Sequence, residues 1–275
     1  MAGMLFLVPT PIGNLGDISQ RCRETLEQAD FIAAEDTRVS LKLLNHLNIK
    51  KPLVSYYEHN REVSGQKILE RILGGETCAL VSDAGSPAIS DPGEDLVALC
   101  AKHDIVVSAI PGPCAAITAL SISGLPTGRF TFEGFLSTNK KNRMEHLDAL
   151  LHEQRTMIFY EAPHKLTATL QDLIKAFGPQ RRISLCRELT KLHEEVIRTT
   201  LQGAADYYEQ QAPRGEYVLI VEGSAPAENE TISIETALQL IEKKISEGIS
   251  KKDAIKLVAK ETGLAKNALY DAAMK

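Results

Sequence analysis

Cysteine is sparse in this 275-residue chain, and its placement excludes more than its presence supports. Cys22, Cys78, Cys100, Cys114 and Cys186 are odd in number and never spaced C-x-x-C. That pattern argues against a disulfide framework or a structural zinc site and for reduced thiols in a cytosol. No apolar run approaches the roughly 20 residues needed to cross a bilayer. The opening MAGMLFLVPTPIG holds one short apolar stretch, with no basic n-region and no small-residue cleavage site. It reads as a first β-strand rather than a signal peptide. Strong positive charge is also missing. The net charge of −5 is not the footprint of a generic nucleic-acid binder, so any positive field must be local. Candidate patches are Lys140, Lys141 and Arg143; Arg181 and Arg182; and Lys243, Lys244, Lys251 and Lys252. Solvated surface charge is the simpler reading of each of them. Finally, there is no G-x-G-x-x-G, no Gly-Lys-Ser/Thr loop and no H-E-x-x-H among the seven histidines. A dinucleotide site, an ATP site and a metal site are therefore disfavoured.

What is present is an alternation. Short apolar segments at 5–8, 31–34, 52–56, 77–82 and 105–110 read as strands buried on both faces. Helical patterns at 19–29, 39–47, 63–73, 94–103 and 114–122 separate them. Ile68, Leu69 and Ile72 share one stripe, and Gly74-Gly75 ends that helix. Such alternation predicts right-handed βαβ units and a largely parallel sheet over 1–122. A Gly/Pro-rich linker, SGLPTG at 123–128, precedes a second α/β domain over 129–223. Its mixed sheet comprises strands at 129–136, 157–160, 183–186, 194–200 and 217–221, with helices at 142–153, 165–177 and 201–211. A polar linker at 224–231 leads to a wholly helical tail, 232–275. There Ser250 with Asp253 forms a capping box, Gly263 ends a helix, and 265–273 is a short final helix. A small helical appendage is the simpler reading of this tail than a nucleic-acid reader.

In open α/β sheets, ligands bind beyond the carboxyl ends of the strands, so three loops stand out. PTPIGNLGD, Pro9–Asp17, has two prolines and two glycines before a helix that Asp17 or Ser19 caps. SDAGSPAISDPG, Ser82–Gly93, packs two Gly, two Pro, three Ser and two Asp into twelve residues. Gly85 and Gly93 permit positive φ there. Asp91 is a natural cap for the helix that Pro92 opens, whereas Asp83 has no such structural duty and is free for ligand hydroxyls or an ammonium. PGPCAA, Pro111–Ala116, gives a narrow wall of small side chains. Together they outline a cofactor cleft.

These loops, with AAEDTR, FYEAPHK and GEYVLIVEG in order, resemble the tetrapyrrole methylase superfamily. Within it they resemble the branch that methylates a ribose 2′-hydroxyl of a cytidine in the decoding region of small-subunit ribosomal RNA. The resemblance spans roughly Leu5 to Gly223. It implies two α/β domains with S-adenosylmethionine in the cleft between them, a small C-terminal helical appendage, no metal, and a cytoplasmic homodimer. It places Pro9, Ser82, Asp83, Gly85, Ser86, Ala115 and Ala116 against the cofactor from the first domain. Tyr160, Glu161, Ala162, Arg187, Glu188, Gly215, Glu216 and Tyr217 would close over it from the second. Cys114 stands where members often carry Ser. The usual Gly-Asp-Pro of the fourth loop is here Ser82-Asp83-Ala84, which keeps the aspartate.

Methyl transfer is an in-line displacement, so alignment supplies much of the acceleration. A ribose hydroxyl is a poor nucleophile, and a general base assists it. Glu35 and Asp36 at the end of the second strand are candidates, as are His164 and Glu161. Each has a structural alternative: Asp36 or Thr37 as a helix cap, His164 as a helix-start residue, and Arg38 as a partner for Glu35. Arg38 and Lys165 are candidate phosphate contacts, and His59, Asn60 and Arg61 are candidates to grip a nucleotide splayed from structured RNA. Two other functions compete. A tetrapyrrole methyltransferase would have no need of the lysine-bearing tail, and a non-catalytic ribosome-binding module would not depend on the cleft.

Overall fold

The computed structural model describes residues 3–225 and 233–273. The chain forms two compact units, the first ending at Gly223 and the second beginning at Ser224.

The first unit opens with β1 (Leu5–Leu7), α1 (Gln20–Gln28), β2 (Phe31–Ala34), α2 (Thr37–His46) and β3 (Leu53–Ser55). It continues with α3 (Arg61–Leu73), β4 (Cys78–Val81), α4 (Glu94–Lys102), β5 (Val107–Ala109) and α5 (Ala115–Ile122). The five strands pair in parallel in the order β3-β2-β4-β1-β5. Side chains alternate across a strand, and here both faces are covered. Phe31, Ala33, Cys78 and Leu80 pack with Ile68, Ile72 and Leu96 of α3 and α4. Their neighbours Ile32, Ala34, Ala79 and Val81 pack with Cys22, Leu26 and Leu44 of α1 and α2. That two-sided burial is why these strands read as unbroken apolar runs. It also sets the site: β1 and β4 lie side by side but send their following helices to opposite faces, which opens a crevice at their carboxyl ends.

The second sheet is mixed. β6 (Phe130–Phe135), β7 (Thr156–Glu161), β8 (Arg182–Arg187), β9 (Glu195–Thr200) and β10 (Tyr217–Val221) pair in the order β6-β7-β10-β8-β9. Only β6 and β7 are parallel. Helices α6 (Lys140–Ala149), α7 (Pro163–Phe177) and α8 (Leu201–Gln210) cover one face. Leu147, Leu166, Leu170, Leu173 and Leu201 pack there on Met157, Phe159, Leu185 and Leu219. The other face takes α5: Ala116, Ala119 and Leu120 pack on Ile158, Cys186, Val218 and Ile220. The segment after α5 is pinned to this sheet rather than hanging free. Arg198 reaches the carbonyls of Ile122 (2.6 Å) and Ser123 (3.2 Å), and the Thr156 hydroxyl donates to the carbonyl of Pro126 at 2.6 Å.

Capping follows local chemistry, with one correction. Ser19 caps α1, accepting from the Cys22 N–H at 3.1 Å, while Leu15–Asp17 forms a separate 3-10 turn capped by Asn14. Asp36 caps α2, accepting from the Arg38 N–H at 2.8 Å. Asp91 does not cap α4 as the sequence predicts. The cap position is Gly93, at φ 151°, and Glu94 and Asp95 supply the negative charge that favours the first turn. The bend at Gly93 leaves Asp91 outside the helix and beside Ser82.

The second unit is a three-helix cluster of α9 (Ile234–Ser246), α10 (Lys251–Thr262) and α11 (Lys266–Ala273). Ala237, Ile241, Ala254, Ile255, Val258 and Leu269 form its core. The Ser250 hydroxyl accepts from the Asp253 N–H at 3.2 Å and donates to its carboxylate at 2.6 Å, completing the expected capping box. Gly263 ends α10 at φ 70°. The expected start of the tail at Ile232 and most of the 224–231 linker lie outside the described residues.

Leu219 sits fully buried on the central strand β10. Leu219→Ala is expected to lower unfolding free energy by about 3 kcal/mol, the usual cost of a deleted leucine core, read as a lower urea midpoint with unchanged slope.

Candidate active site

Four loops of the first sheet are stitched into one floor. Thr10 and Gly85 exchange two backbone hydrogen bonds, Thr10 N–H to Gly85 C=O at 2.9 Å and the reverse at 3.0 Å. The Thr10 hydroxyl also donates to the Ser82 carbonyl at 3.1 Å. The β4 loop is joined to the β5 loop by the Ser86 hydroxyl, which donates to the Pro113 carbonyl at 3.0 Å. It is joined to the β2 loop by Asp83, whose carboxylate accepts from the Asp36 N–H at 3.1 Å. Two glycines make the fit. Gly85 sits at φ 87°, a region L side chains rarely adopt. A Cβ on Gly112 would lie 2.4 Å from the Pro9 ring.

Over this floor stands a cavity of about 560 Å³. That volume falls within the roughly 300–1,000 Å³ usual for small-molecule sites. Ile12, Glu35, Asp83, Ala84, Gly85, Ser86, Asp91, Cys114 and Ala115 line it below. Phe135, Tyr160, Glu161, Ala162, His164, Leu189, Lys191, Glu216, Tyr217 and Val218 line it from the second sheet. The Tyr160 ring is held edge-on by Phe132 and Phe135, and its hydroxyl accepts from the Ala116 N–H at 3.1 Å, so the upper wall is bonded to the start of α5.

The sequence profile of the family described as Tetrapyrrole (Corrin/Porphyrin) Methylases matches residues 4–205, and the profile described as the RsmI C-terminal HTH domain matches residues 235–275. A protein of Synechocystis sp. named Ribosomal RNA small subunit methyltransferase I is 46% identical over 99% of this chain and 98% of its own length. One of the same name from Halalkalibacterium halodurans is 48% identical over 98% of this chain and 94% of its own. The chain belongs to the ribosomal RNA small subunit methyltransferase I family of tetrapyrrole methylases. Its fold is also that of the uroporphyrin-III C-methyltransferase of Thermus thermophilus, crystallised with S-adenosyl homocysteine. That likeness has a TM-score of 0.56 at 17% identity, covering 80% of this chain and 97% of the other.

Of the residues singled out from the sequence, the cavity gathers Glu35, Asp83, Gly85, Ser86, Ala115, Tyr160, Glu161, Ala162, His164, Glu216 and Tyr217. Pro9, Ser82 and Ala116 lie behind its wall as braces. Arg187, Glu188 and Gly215 line a smaller, adjoining cavity. Asp36, Arg38, His59, Arg61 and Lys165 line neither. Asp36 is gripped by Arg38 through contacts of 2.6–3.2 Å, so Arg38 pairs with Asp36 rather than Glu35. Arg61 pairs with Glu58 (3.2 Å) and Asp95 (3.1 Å), and His59 meets the Tyr57 ring edge-on. Lys165 is half-buried in the first turn of α7. Sequence reasoning missed Ile12, Cys114, Leu189, Lys191 and Val218 as lining residues. Val218 and Leu189 carried no signal beyond apolarity. Ile12 and Cys114 sat inside loops already marked.

The electrostatics is one-sided. Glu35, Asp83, Asp91, Glu161 and Glu216 face the cavity against one lysine. That lysine, Lys191, is already bonded to Glu188 and Glu216, at 2.9 Å each. Glu161 is buried and engaged by the Thr169 hydroxyl and the Ala162 N–H. Burial, with repulsion from Asp91, Asp83 and Asp36, raises the pKa of Glu35, and the Asp83 backbone offsets this in part. Burial and repulsion from Asp83 also raise that of Asp91. Arg38 by contrast holds Asp36 down at about 2, and burial pushes the Tyr160 hydroxyl up to about 12. Among the described residues no His, Cys, Asp and Glu side chains gather into a metal-ligating group.

A carboxylate whose pKa is raised by folding stabilises the native state below its unfolded pKa and loses that contribution as pH rises through the folded value. Glu35 is such a group. Glu35→Gln is therefore expected to raise the melting temperature at pH 8 and to leave it unchanged near pH 4. Thermal melts at the two pH values test the sign of the difference, and an equal effect at both would refute it.

Proposed function

We propose that this chain methylates the ribose 2′-oxygen of a cytidine in the decoding region of small-subunit ribosomal RNA, within the assembled subunit, as a cytoplasmic homodimer. It is an S-adenosylmethionine-dependent methyltransferase, and near-full-length relatives bear the name of the small-subunit RNA enzyme. No described helix is long and apolar enough to cross a membrane. The observation that carries the reading is the acidic, apolar-walled cavity at the β1/β4 crevice.

The residues fit the cofactor. Burial and repulsion from neighbouring carboxylates raise the pKa of Glu35 and Asp91, a strain that a cationic ligand would relieve. Ile12, Phe135, Leu189 and Val218 offer apolar walls to a flat ring, and the backbone around Gly85 permits close approach. Bound there, S-adenosylmethionine supplies a methyl group made electrophilic by its sulfonium. Asp83, fixed by the Asp36 N–H, and Asp91 hold positive charge and orient it. Glu35 faces the same space with a raised pKa, which suits it to accept the proton of the ribose hydroxyl. Asp36 is spent on Arg38 and the α2 cap, so its role is to fix Asp83 and Arg38. Tyr160, Phe135 and Leu189 line the transfer path with largely apolar surface.

Incubation with labelled S-adenosylmethionine and small subunits from a strain lacking the gene, followed by digestion and mass spectrometry, is expected to yield 2′-O-methylcytidine. Asp83→Ala is expected to abolish the label. Cofactor binding without RNA labelling would shift the assignment to a small tetrapyrrole substrate, and failure to bind cofactor would leave a non-catalytic module. Glu35→Gln is expected to lower kcat by roughly 10²–10⁴-fold. It should also remove the acid limb of the pH–rate profile, on which the wild-type rate rises with pH as Glu35 ionises. Light scattering of the purified chain tests the dimer.

A further inference from the structure

We infer that the smaller cavity beside the cleft, at the turn between β8 and β9, seats one phosphodiester group of the RNA. This rests on the RNA-methylating reading above. The cavity, about 290 Å³, is lined by Arg187, Glu188, His193, Arg214 and Gly215. The charge balance of its neighbour is reversed here: two guanidiniums line it against a single carboxylate, with the His193 ring beside them. That carboxylate is already committed. Glu188 accepts from the Lys191 ammonium at 2.9 Å and from the Glu216 N–H at 3.0 Å, and Lys191 lowers its pKa. The cations are not equally committed. Arg187 lies 3.1 Å from Glu195, yet its Nε is shielded from solvent with no aligned hydrogen-bond acceptor. The Arg214 side chain makes no hydrogen bond or ion pair among the described residues, although its backbone N–H donates to the Tyr217 hydroxyl at 3.2 Å. A planar donor with unfilled N–H groups beside a second one is what a phosphate oxygen pair matches.

The backbone that presents these groups is unusual. Glu188 (φ 51°) and Thr190 (φ 67°) are both non-glycine residues in the left-handed region, within three positions of one turn. Such conformations persist where surrounding contacts enforce them, and they cluster at ligand clamps. At the tip Leu192 is 93% exposed, an apolar side chain offered outward beside the cationic notch. The Glu188–Lys191–Glu216 bridge is shared by the two cavities, since Lys191 and Glu216 line the larger one and Glu188 the smaller. A phosphate seated here lies across that bridge from the methyl donor, where it fixes the register of the strand whose ribose enters the cleft. The resemblance-based assignment of Arg187, Glu188 and Gly215 to the cofactor gives way, in this inference, to the backbone of the substrate.

Arg214→Gln tests it, because this exposed side chain makes no hydrogen bond or ion pair among the described residues. Binding of unmethylated small subunits is measured over a series of salt concentrations, and affinity for S-adenosylmethionine by calorimetry. The variant is expected to bind subunits about tenfold more weakly at low salt. Its log–log salt slope should be shallower by about 0.7–0.9, one phosphate contact, with cofactor affinity as in wild type. Arg214→Lys, which keeps the charge, should restore most of the slope. An unchanged slope in Arg214→Gln overturns the inference while leaving the RNA reading intact. A loss of cofactor affinity overturns it too, by returning the notch to the cofactor site. Failure of the wild-type chain itself to bind subunits removes both.

Discussion

The pair of backbone hydrogen bonds between Thr10 and Gly85 is the constraint on which the rest of the site depends. β1 and β4 diverge at their carboxyl ends because their helices leave for opposite faces, and a crevice left to itself would be a flexible gap. Two reciprocal bonds close its bottom and turn it into a surface. Once Gly85 is fixed, Ser86 reaches Pro113 and brings in the β5 loop, and Asp83 is aimed at the N–H of Asp36. Buried backbone groups at such a junction must find partners, and here they find them in each other. The carboxylates are therefore placed by backbone geometry rather than by flexible side-chain contacts. This is how a site can hold several like charges close together.

The holding of those charges costs stability locally. Glu35 and Asp91 both resist ionisation, relieved only in part by the Asp83 backbone and the Ser82 hydroxyl. The opposite treatment is given to Asp36, two atoms of peptide away from Glu35, whose carboxylate is neutralised by Arg38. Two adjacent acidic residues thus diverge in role because one is paired with a guanidinium and the other lines a cavity shared with further carboxylates.

Much of this was legible beforehand. Strand and helix periods gave the parallel sheet because its strands are covered on both faces, so apolarity was unbroken and turn residues marked every boundary. Gly85, Asp83 and Ser86 were found because small and acidic residues after a strand have few structural duties. What escaped was tertiary. That Asp91 faces Ser82 instead of capping α4 depends on the bend at Gly93, which leaves the sequence pattern unchanged. Arg38's choice of Asp36 over Glu35 is a matter of side-chain direction, invisible in a string of letters. Arg187 stands directly opposite Tyr217 across β8 and β10, yet the two residues line different cavities, which no spacing in the sequence reveals. Positive φ at Glu188 and Thr190 could not be read from residues that ordinarily avoid it.

Helix α5 completes the first sheet's alternation in sequence, yet packs on Ile158, Cys186, Val218 and Ile220 of the second. Connectivity and packing therefore cut the chain in different places. A nick in the exposed Thr127–Gly128 stretch would leave the molecule assembled, because α5 stays docked after the peptide bond is gone. Separate expression of the two halves would fare worse: the upstream fragment would carry a helix with its apolar face bare, and the downstream one a sheet stripped of its cover. The covalent link matters less to this architecture than the helix that crosses it.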